Sequence, residues 1–361
     1  MKILLLSRYG SMGASSRYRS YQYVPLLRKQ GWDITVAPLL DDTYVRSRYF
    51  GGRISLLHVV RAYTQRVWKL LRAKQYDLIW LEYEALPWIP NIFESLLFGF
   101  KVPYVVDYDD AVFHRYDQHP CGIIRRLLGK KINRVMSGSS MVIAGNEYIA
   151  ERAYRVGALR VEILPTVVDL NRYPLAPLSD NGMYTIGWIG SPMTSHYLKI
   201  IQPALEEISR TVMAKVVAVG AGALELMHVP LEVRPWSETT EVQEIQKLQV
   251  GIMPLPDSPW ERGKCGLKLI QYMACGKPVV ASPVGVNTQL VEHGVNGFLA
   301  SSQDDWLTAL TTLGNNGTLR RQMGMAGRKK VETHYCLQVT APKLLQLLCA
   351  AKERGRKSTP C

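Results

Sequence analysis

The chain has 361 residues, of which 47% are hydrophobic and 20% charged, a composition typical of globular proteins that bury sizeable cores. This composition excludes a disordered chain, a collagen-like repeat and a disulfide scaffold. At roughly 150 residues per domain, the length predicts two domains. The net charge of +14 is unevenly distributed along the chain. Residues 1–173 have a net charge of +10, residues 174–340 have a net charge of zero, and residues 341–361 have a net charge of +4.

The sequence also bears on where the protein is found. No apolar run reaches the roughly 18–20 residues that a membrane span needs. The N-terminal apolar run is too short for a signal peptide, and Arg8 interrupts it. The six cysteines are scattered without paired metal-ligand spacing. We therefore expect a cytoplasmic protein with free thiols, no zinc and no cofactor.

In the first half of the chain, short β-rich runs alternate with helical patterns such as 17–30, 55–73 and 147–156. The predicted strands are Ile3–Leu6, Ile34–Ala37, Leu78–Leu81, Tyr104–Val106, Met141–Ala144 and Val161–Leu164. Basic residues between 125 and 134 recur at helical spacing beside apolar ones, which predicts one basic amphipathic helix. This helix would lie on anionic lipid or simply form a solvated face.

A turn-rich stretch at 165–182 breaks the alternation, which then resumes. The second set of predicted strands is Tyr184–Gly187, Val216–Val219, Val250–Met253, Pro278–Ala281 and Phe298–Leu299. Strands alternating with helices predict parallel sheets. We expect two α/β units, each a doubly wound sheet, with ligands bound at the strand ends in a cleft between them.

Residues 9–19 form a loop that follows the first strand and opens a helix. Its small residues, Gly13 among them, let backbone amides approach a ligand, and a helix N-terminus favours anions. Arg17 and Arg19 oppose the helix dipole, a small cost that a phosphate would remove. We predict an acceptor or phosphate loop, although an ordinary strand–helix turn has the same composition.

Three acidic residues, Asp107, Asp109 and Asp110, follow the fourth predicted strand. Close carboxylates raise each other's pKa, which suits proton handling or stabilisation of a developing cation. Helix capping and a divalent-ion site are the alternatives, but nothing else in the sequence completes a coordination set. We favour Asp109 and Asp110 as catalytic residues that act without a metal.

The most informative segment runs from Asp257 to Ser282. The pattern predicts a helix that begins near Gly266 and ends at Gly276. Lys264 and Lys268 flank its start, where free backbone amides already attract a diphosphate. Gln271 lies three residues after Lys268 and therefore shares its face.

The stretch from Gln271 to Gly285, QYMACGKPVVASPVG, resembles the donor-binding motif of the retaining glycosyltransferases with the GT-B fold, a group 1 or family 4 type common in bacteria. The likeness extends to VEHGVNGFL at 291–299 and to PTVVD at 165–169. The resemblance implies an acceptor-binding Rossmann-like domain at 1–170 and a nucleotide-sugar-binding one at 171–338. It also implies that residues 339–361 form a helix that crosses back to the first domain, followed by a basic tail.

The resemblance further implies transfer of a sugar from a nucleotide-diphosphate-sugar to a hydroxyl acceptor with retained configuration. The expected donor-binding residues are Ser191, Thr194, Glu261, Lys264, Cys265, Gly266, Leu267, Lys268 and Gln271. Two of the family's motif glutamates are missing, since Gln271 and Gly263 occupy their places. Glu261 is the candidate replacement for the sugar-binding one, and Lys264 and Lys268 for the family's missing phosphate-binding cations.

The charge and the resemblance together predict a saccharide or lipid-linked acceptor of the cell envelope, met at the inner face of the plasma membrane. Two other readings remain open: a nucleotide-sugar epimerase on the same fold, and an inactive protein that binds nucleotide sugars or membrane surfaces. Nucleic acid is not an expected partner, because no recognised nucleic-acid-binding motif accompanies the charge.

Overall fold

The computed structural model describes residues 1–49, 51–52, 54–91, 94, 102–175 and 183–357, with side chains up to residue 353. The end of the predicted turn-rich stretch, 176–182, and the end of the basic tail lie outside the described residues. The described chain divides into two compact units. Unit 1 contains Met1–Thr166, Arg262–Cys265 and the segment that begins at Thr340, and unit 2 contains Val167–Glu261 and Gly266–Val339.

Unit 1 is built on a six-stranded parallel sheet of order β2-β1-β3-β4-β5-β6. Its strands are β1 (Lys2–Leu6), β2 (Asp33–Val36), β3 (Leu78–Glu82), β4 (Tyr104–Tyr108), β5 (Met141–Ala144) and β6 (Val161–Ile163). The central strands β3 and β4 are buried along their whole length. Such strands read as continuous apolar runs, which is why the sequence predicts all six.

The helices that accompany this sheet are α1 (Ala14–Arg19), α2 (Val24–Lys29), α3 (Asp42–Tyr49), α4 (Leu56–Leu71), α5 (His114–Asp117), α6 (Gly122–Leu128), α7 (Lys131–Ser137) and α8 (Glu147–Arg155). Two helix predictions are wrong in detail. The pattern at 17–30 is split by a 3₁₀ turn at Tyr21–Tyr23, after which Pro25 sits in the first turn of α2. The single basic helix is two helices, because Gly129 and Lys130 interrupt it.

Unit 2 contains a second six-stranded parallel sheet, of order β12-β11-β10-β7-β8-β9. Its strands are β7 (Tyr184–Ile189), β8 (Ala214–Val219), β9 (Leu231–Arg234), β10 (Val250–Met253), β11 (Val279–Ala281) and β12 (Gly297–Leu299). The sequence missed β9, whose four residues include two charged side chains and none that is fully buried. An edge strand of this kind lacks the apolar run that marks the others.

The helices of the second half of the chain are α9 (Gln202–Thr211), α10 (Glu241–Gln246), α11 (Pro259–Arg262), α12 (Leu267–Ala274), α13 (Asn287–Leu290), α14 (Gln303–Asn315), α15 (Gly317–His334) and α16 (Leu337–Lys357). Both sheets are therefore parallel and accompanied by helices, and the predicted α/β class with two Rossmann-like sheets is confirmed. Within the described ranges, no helix is long and apolar enough to cross a membrane.

The close approach of α15 to the end of α12 gives a test of unit 2 packing. A Cβ atom on Gly324 would lie 1.9 Å from the carbonyl oxygen of Gly276. We predict that Gly324→Ala lowers the free energy of unfolding by about 1–3 kcal/mol, because two backbones must separate. Thermal or urea unfolding measures the loss.

Gly122→Ala is the matched control, since a Cβ there meets only the Arg125 guanidinium, at 3.6 Å. Alanine is also the better helix former, so Gly122→Ala should leave stability unchanged or raised. Equal stability of the Gly324→Ala variant and the wild type would contradict the packing.

Candidate functional site

The start of α12 in unit 2 is a helix N-terminus with free donors. Gly266 has a φ of +68°, and a Cβ atom there would lie 2.2 Å from the Leu290 side chain. Only glycine combines this left-handed backbone with such close packing. Gly266, the N-cap residue, has no side chain with which to cap this end of the helix. The first backbone amides of a helix point outward at its N-terminus and attract an anion.

Lys268 lies at this helix start and at the carboxyl end of β7. Its Nζ is 5.4 Å from the centre of the Trp188 ring. A Cβ atom on Gly190 would lie 3.0 Å from Lys268 Cε, so the glycine leaves room for the lysine stem. Trp188 and Gly190 thus hold the Lys268 ammonium group beside the N-terminus of α12.

The turn at Ser191–Thr194 follows β7 at the same edge of the sheet. The Thr194 amide donates to the Ser191 carbonyl oxygen at 2.9 Å, and the two hydroxyl oxygens are 3.5 Å apart. Both side chains are half-buried. The structure therefore brings together Ser191, Thr194, Gly266, Leu267 and Lys268, the core of the predicted donor-binding set.

A second glycine-rich turn at this edge was missed by the sequence analysis. Gly220, directly after β8, has a φ of +76°, and its Cβ would lie 2.4 Å from the Gly190 carbonyl oxygen. Gly222 also has a positive φ, of +68°, and a Cβ atom there would lie 3.0 Å from the Pro192 side chain. The Gly-Ala-Gly sequence after a buried strand was the available signal, since such turns let backbone approach a ligand closely.

Glu261 and Gln271, the residues considered in place of the missing motif glutamates, are both buried. Glu261 accepts hydrogen bonds from the hydroxyl groups of Tyr197 and Ser258. Gln271 donates through Nε2 to the Tyr173 hydroxyl at 2.9 Å. Unit 2 therefore holds both side chains with polar groups of its own, and the sequence gives no signal for the tyrosines.

At the carboxyl edge of unit 1, a buried ion pair joins Arg19 to Asp107. Arg19 Nε donates to Asp107 Oδ1 at 2.7 Å, and Nη2 donates to Oδ2 at 3.2 Å. Nη1 donates to the Leu164 carbonyl oxygen at 2.7 Å. Burial raises the pKa of Asp107, and the charge of Arg19 opposes that rise. Arg19 is thus engaged inside the unit, which differs from the anion-binding role predicted for it.

Asp109 lies next along the chain, partly exposed, and accepts a hydrogen bond from the Tyr83 hydroxyl. Loss of solvation raises the pKa of Asp109, against the opposing charge of Arg19. Tyr83 has a φ of +61°, a strained conformation for an aromatic residue. The sequence analysis missed Tyr83, although its place directly after β3 puts it at the same edge.

Lys264 and Cys265 belong to unit 1, in contrast to the rest of the predicted donor-binding set. The Asn146 side chain donates to the carbonyl oxygens of Gly263 and Lys264, at 2.8 and 3.1 Å. Lys264 Nζ then lies 3.8 Å from Asp110 Oδ1. Burial raises the pKa of the Cys265 thiol, so Cys265 packs as an apolar side chain and not as a nucleophile.

The loop before α1 is tightly packed. A Cβ atom on Gly13 would lie 2.5 Å from Tyr9 Cβ. Arg17 is buried, donates to the Ser11 carbonyl oxygen at 3.0 Å and stacks on Tyr18. Gly13 and Arg17 therefore fix the shape of this loop.

Glu82, at the end of β3, is a further buried carboxylate that the sequence analysis did not single out. Its Oε2 accepts from the Ser16 hydroxyl at 2.6 Å and from the Arg8 amide at 3.0 Å. Its Oε1 is buried without a hydrogen-bond partner. Burial raises the pKa of Glu82 to about 7.

Acidic, histidine and cysteine side chains are the groups that hold metal ions in proteins. Among the described residues, no three such groups are placed to hold one. The five described cysteines carry free thiols.

Solved structures with this fold place the chain in a class. Sucrose-phosphate synthase from Thermosynechococcus elongatus superposes with a TM-score of 0.73 at 15% identity, covering 96% of this chain and 98% of that one. Anabaena HepE, in complex with UDP-glucose, superposes with a TM-score of 0.72 at 16% identity, covering 97% of this chain and all of that one. The chain has the fold of the GT-B glycosyltransferases.

Sequence comparison identifies the family of one segment of the chain. Residues 184–316 match the model of the family described as Glycosyl transferases group 1. The D-inositol 3-phosphate glycosyltransferase of Thermobispora bispora is 30% identical over 97 residues, which is 26% of this chain and 22% of that protein. The match thus spans about a fifth of the relative's length. Residues 184–316 therefore form a group 1 glycosyltransferase domain, which confirms the group 1 resemblance expected from the sequence.

The raised pKa of Glu82 predicts a pH-dependent effect on stability. A carboxyl whose pKa is higher in the folded than in the unfolded state binds its proton more tightly when folded. Folded-state stability is therefore lost as the pH rises from about 4.5 to about 7. We predict that Glu82→Gln removes this loss, so that the variant gains up to about 3 kcal/mol on the wild type across that window.

Unfolding by urea at a series of pH values measures this difference. Glu147→Gln, on an exposed position at the start of α8, is the control and should follow the wild type at every pH. A stability difference between Glu82→Gln and wild type that stays constant from pH 4 to 8 would show that Glu82 titrates normally.

Proposed function

We propose that this protein is a retaining glycosyltransferase that moves a sugar from a nucleotide-diphosphate-sugar to a hydroxyl group of an acceptor. The observation that carries the proposal is the carboxyl edge of unit 2. There the N-terminus of α12, the Lys268 ammonium group and the Ser191–Thr194 turn lie at the same edge of the sheet. A diphosphate is the group that such a combination of dipole, cation and hydroxyls recognises.

The donor is held by residues of the predicted donor-binding set. Lys268 and the amides at Gly266 and Leu267 neutralise the diphosphate, with the Ser191 and Thr194 hydroxyls as additional donors. Glu261 and Gln271 contribute to sugar and ribose recognition, and Cys265 packs the loop. A UDP-sugar is the first donor to test, because the similar HepE structure contains UDP-glucose.

The acceptor is bound by the N-terminal segment, residues 1–170, whose packed loop contains Gly13 and Arg17. In a front-face substitution, the acceptor oxygen bonds to the anomeric carbon while the bond from that carbon to the diphosphate breaks. The acceptor proton passes to the leaving diphosphate oxygen. Asp109 or Asp110 orients the acceptor hydroxyl or the donor sugar, and Lys264 beside Asp110 adds positive charge for the leaving group.

We propose that the transfer needs no metal ion, because lysine ammonium groups and helix amides supply the positive charge that a divalent cation would otherwise provide. The +10 charge of residues 1–173 supports an acceptor found at an anionic membrane surface, such as a lipid-linked saccharide of the cell envelope. The helices α4 and α6 support the same assignment, since they expose Leu57, Trp68, Ile123 and Leu127 beside basic residues.

The role of Lys268 gives the first functional prediction. Lys268→Ala should weaken donor binding at least tenfold, because it removes the ammonium group nearest the α12 amides. Thermal shifts of wild type and variant with UDP-, GDP-, ADP- and CMP-sugars measure this. A ligand at a hundred times its dissociation constant stabilises the folded state by roughly 2.7 kcal/mol.

Lys199→Ala removes an exposed lysine of the same unit and serves as the control, with unchanged donor binding. If no nucleotide sugar stabilises the wild type, the transferase and epimerase assignments both fail. If a donor binds and is converted to an epimer without release of nucleotide diphosphate, the epimerase assignment replaces the transferase.

The role of Asp109 gives the second prediction. Asp109→Asn keeps the shape and removes the charge, so turnover should fall about a hundredfold while donor binding is retained. Release of nucleotide diphosphate, with water as the acceptor where no other is known, measures turnover. Asp33→Asn, on an exposed position, is the control. Full turnover by a folded Asp109→Asn variant would remove Asp109 from the mechanism.

A further inference from the structure

A cavity of about 470 Å³ in unit 1 lies between the end of β2 and the helix α4. None of the residues that line the cavity belongs to the predicted donor-binding or catalytic sets. Its polar lining side chains are those of Asp41, His58, Arg61, Gln65, Arg66 and Lys69. Four of these six carry or can carry a positive charge.

Arg66 forms the buried part of this lining, with only 3% of its surface exposed. Its Nη2 donates to the carbonyl oxygens of Ser7 and Ala37, the latter at 3.0 Å. Among the described residues, no carboxylate lies within ion-pair distance of Arg66. Among the described residues, Arg66 forms hydrogen bonds only through Nη2, and its side chain lines the cavity.

A buried guanidinium group without a carboxylate partner is costly, because burial removes its water and nothing replaces the lost charge stabilisation. Burial accordingly lowers the pKa of Arg66 to about 10. Glu82 is the acidic group whose charge acts most strongly on Arg66, but its own pKa of about 7 leaves it only partly ionised at neutral pH. An anion in the cavity would supply the missing charge.

The other lining groups support the same conclusion. Arg61 and Lys69 are exposed and lie on α4 two turns apart, on either side of Arg66. None of the residues from 56 to 75 is acidic. The one carboxylate of the lining, Asp41, is paired with His58, whose Nε2 lies 3.2 Å from Asp41 Oδ1. The cavity therefore has an excess of positive charge.

We propose that this cavity is a binding site for a phosphate group, with Arg66 at its base and Arg61 and Lys69 at its entrance. A phosphate offers several acceptor oxygens and up to two negative charges, which matches a guanidinium fork combined with two further cations. The phosphate comes either from a soluble phosphorylated molecule or from a lipid headgroup. The inference rests on unit 1 alone and goes beyond the proposed function.

The test uses the full chain and two surface variants, Arg61→Gln and Lys69→Gln, which leave the buried Arg66 in place. Arg321→Gln, an exposed arginine on α15 of unit 2, is the control with the same change of charge. Binding of inorganic phosphate is measured by calorimetry. Binding of vesicles that contain phosphatidic acid is measured by sedimentation, with neutral phosphatidylcholine vesicles alongside.

We expect each cavity variant to weaken phosphate or phosphatidic acid binding at least tenfold, while Arg321→Gln binds as the wild type does. An effect on inorganic phosphate assigns a soluble ligand, and an effect confined to vesicles assigns a lipid headgroup. The proposal is overturned if neither probe binds, or if the control loses as much affinity as the cavity variants. Nucleotide-sugar binding should be unchanged in both cavity variants, so this outcome is independent of the donor site.

Discussion

The start of α12 is the feature on which the functional interpretation of unit 2 depends. Gly266 has a left-handed backbone and no space for a side chain, so the helix begins there without a capping side chain from its N-cap residue. The N-terminal backbone amides of α12 then lie beside the Lys268 side chain, whose position is set by the Trp188 ring and by the absence of a side chain at Gly190. Backbone geometry and packing therefore place positive potential at one point of the sheet edge.

In unit 1, the corresponding edge of the sheet carries buried carboxyl groups. Glu82 ends β3, Asp107 lies in β4 and Asp109 directly follows β4, and burial raises the pKa of each of these carboxyl groups. Arg19 stabilises the charge of Asp107 through two hydrogen bonds, whereas Asp109 is half-buried and accepts hydrogen bonds from the Tyr83 and Ser15 hydroxyls. A carboxyl that is partly exposed and costly to ionise is suited to interact with a substrate.

The sequence predicts the strands well because half of them are buried at every residue and most of the others are mainly apolar, so that they form short apolar runs, whereas the charged edge strand β9 does not. It also predicts the start of α12, since Gly266 and Gly276 mark both ends of an apolar helical pattern. What it does not predict are contacts between residues far apart in the chain. Examples are the hydrogen bonds that Arg19 donates to Asp107, Gln271 to Tyr173 and Arg66 to Ser7. No local sequence pattern predicts these partners.

A crystal structure of the full chain with a bound nucleoside diphosphate would test the central claim most directly. We expect the diphosphate oxygens to lie within about 3 Å of the backbone amides at the start of α12 and of Lys268 Nζ. A diphosphate bound elsewhere, with the α12 amides and Lys268 making no contact to it, would contradict the assignment of this helix start as the donor site.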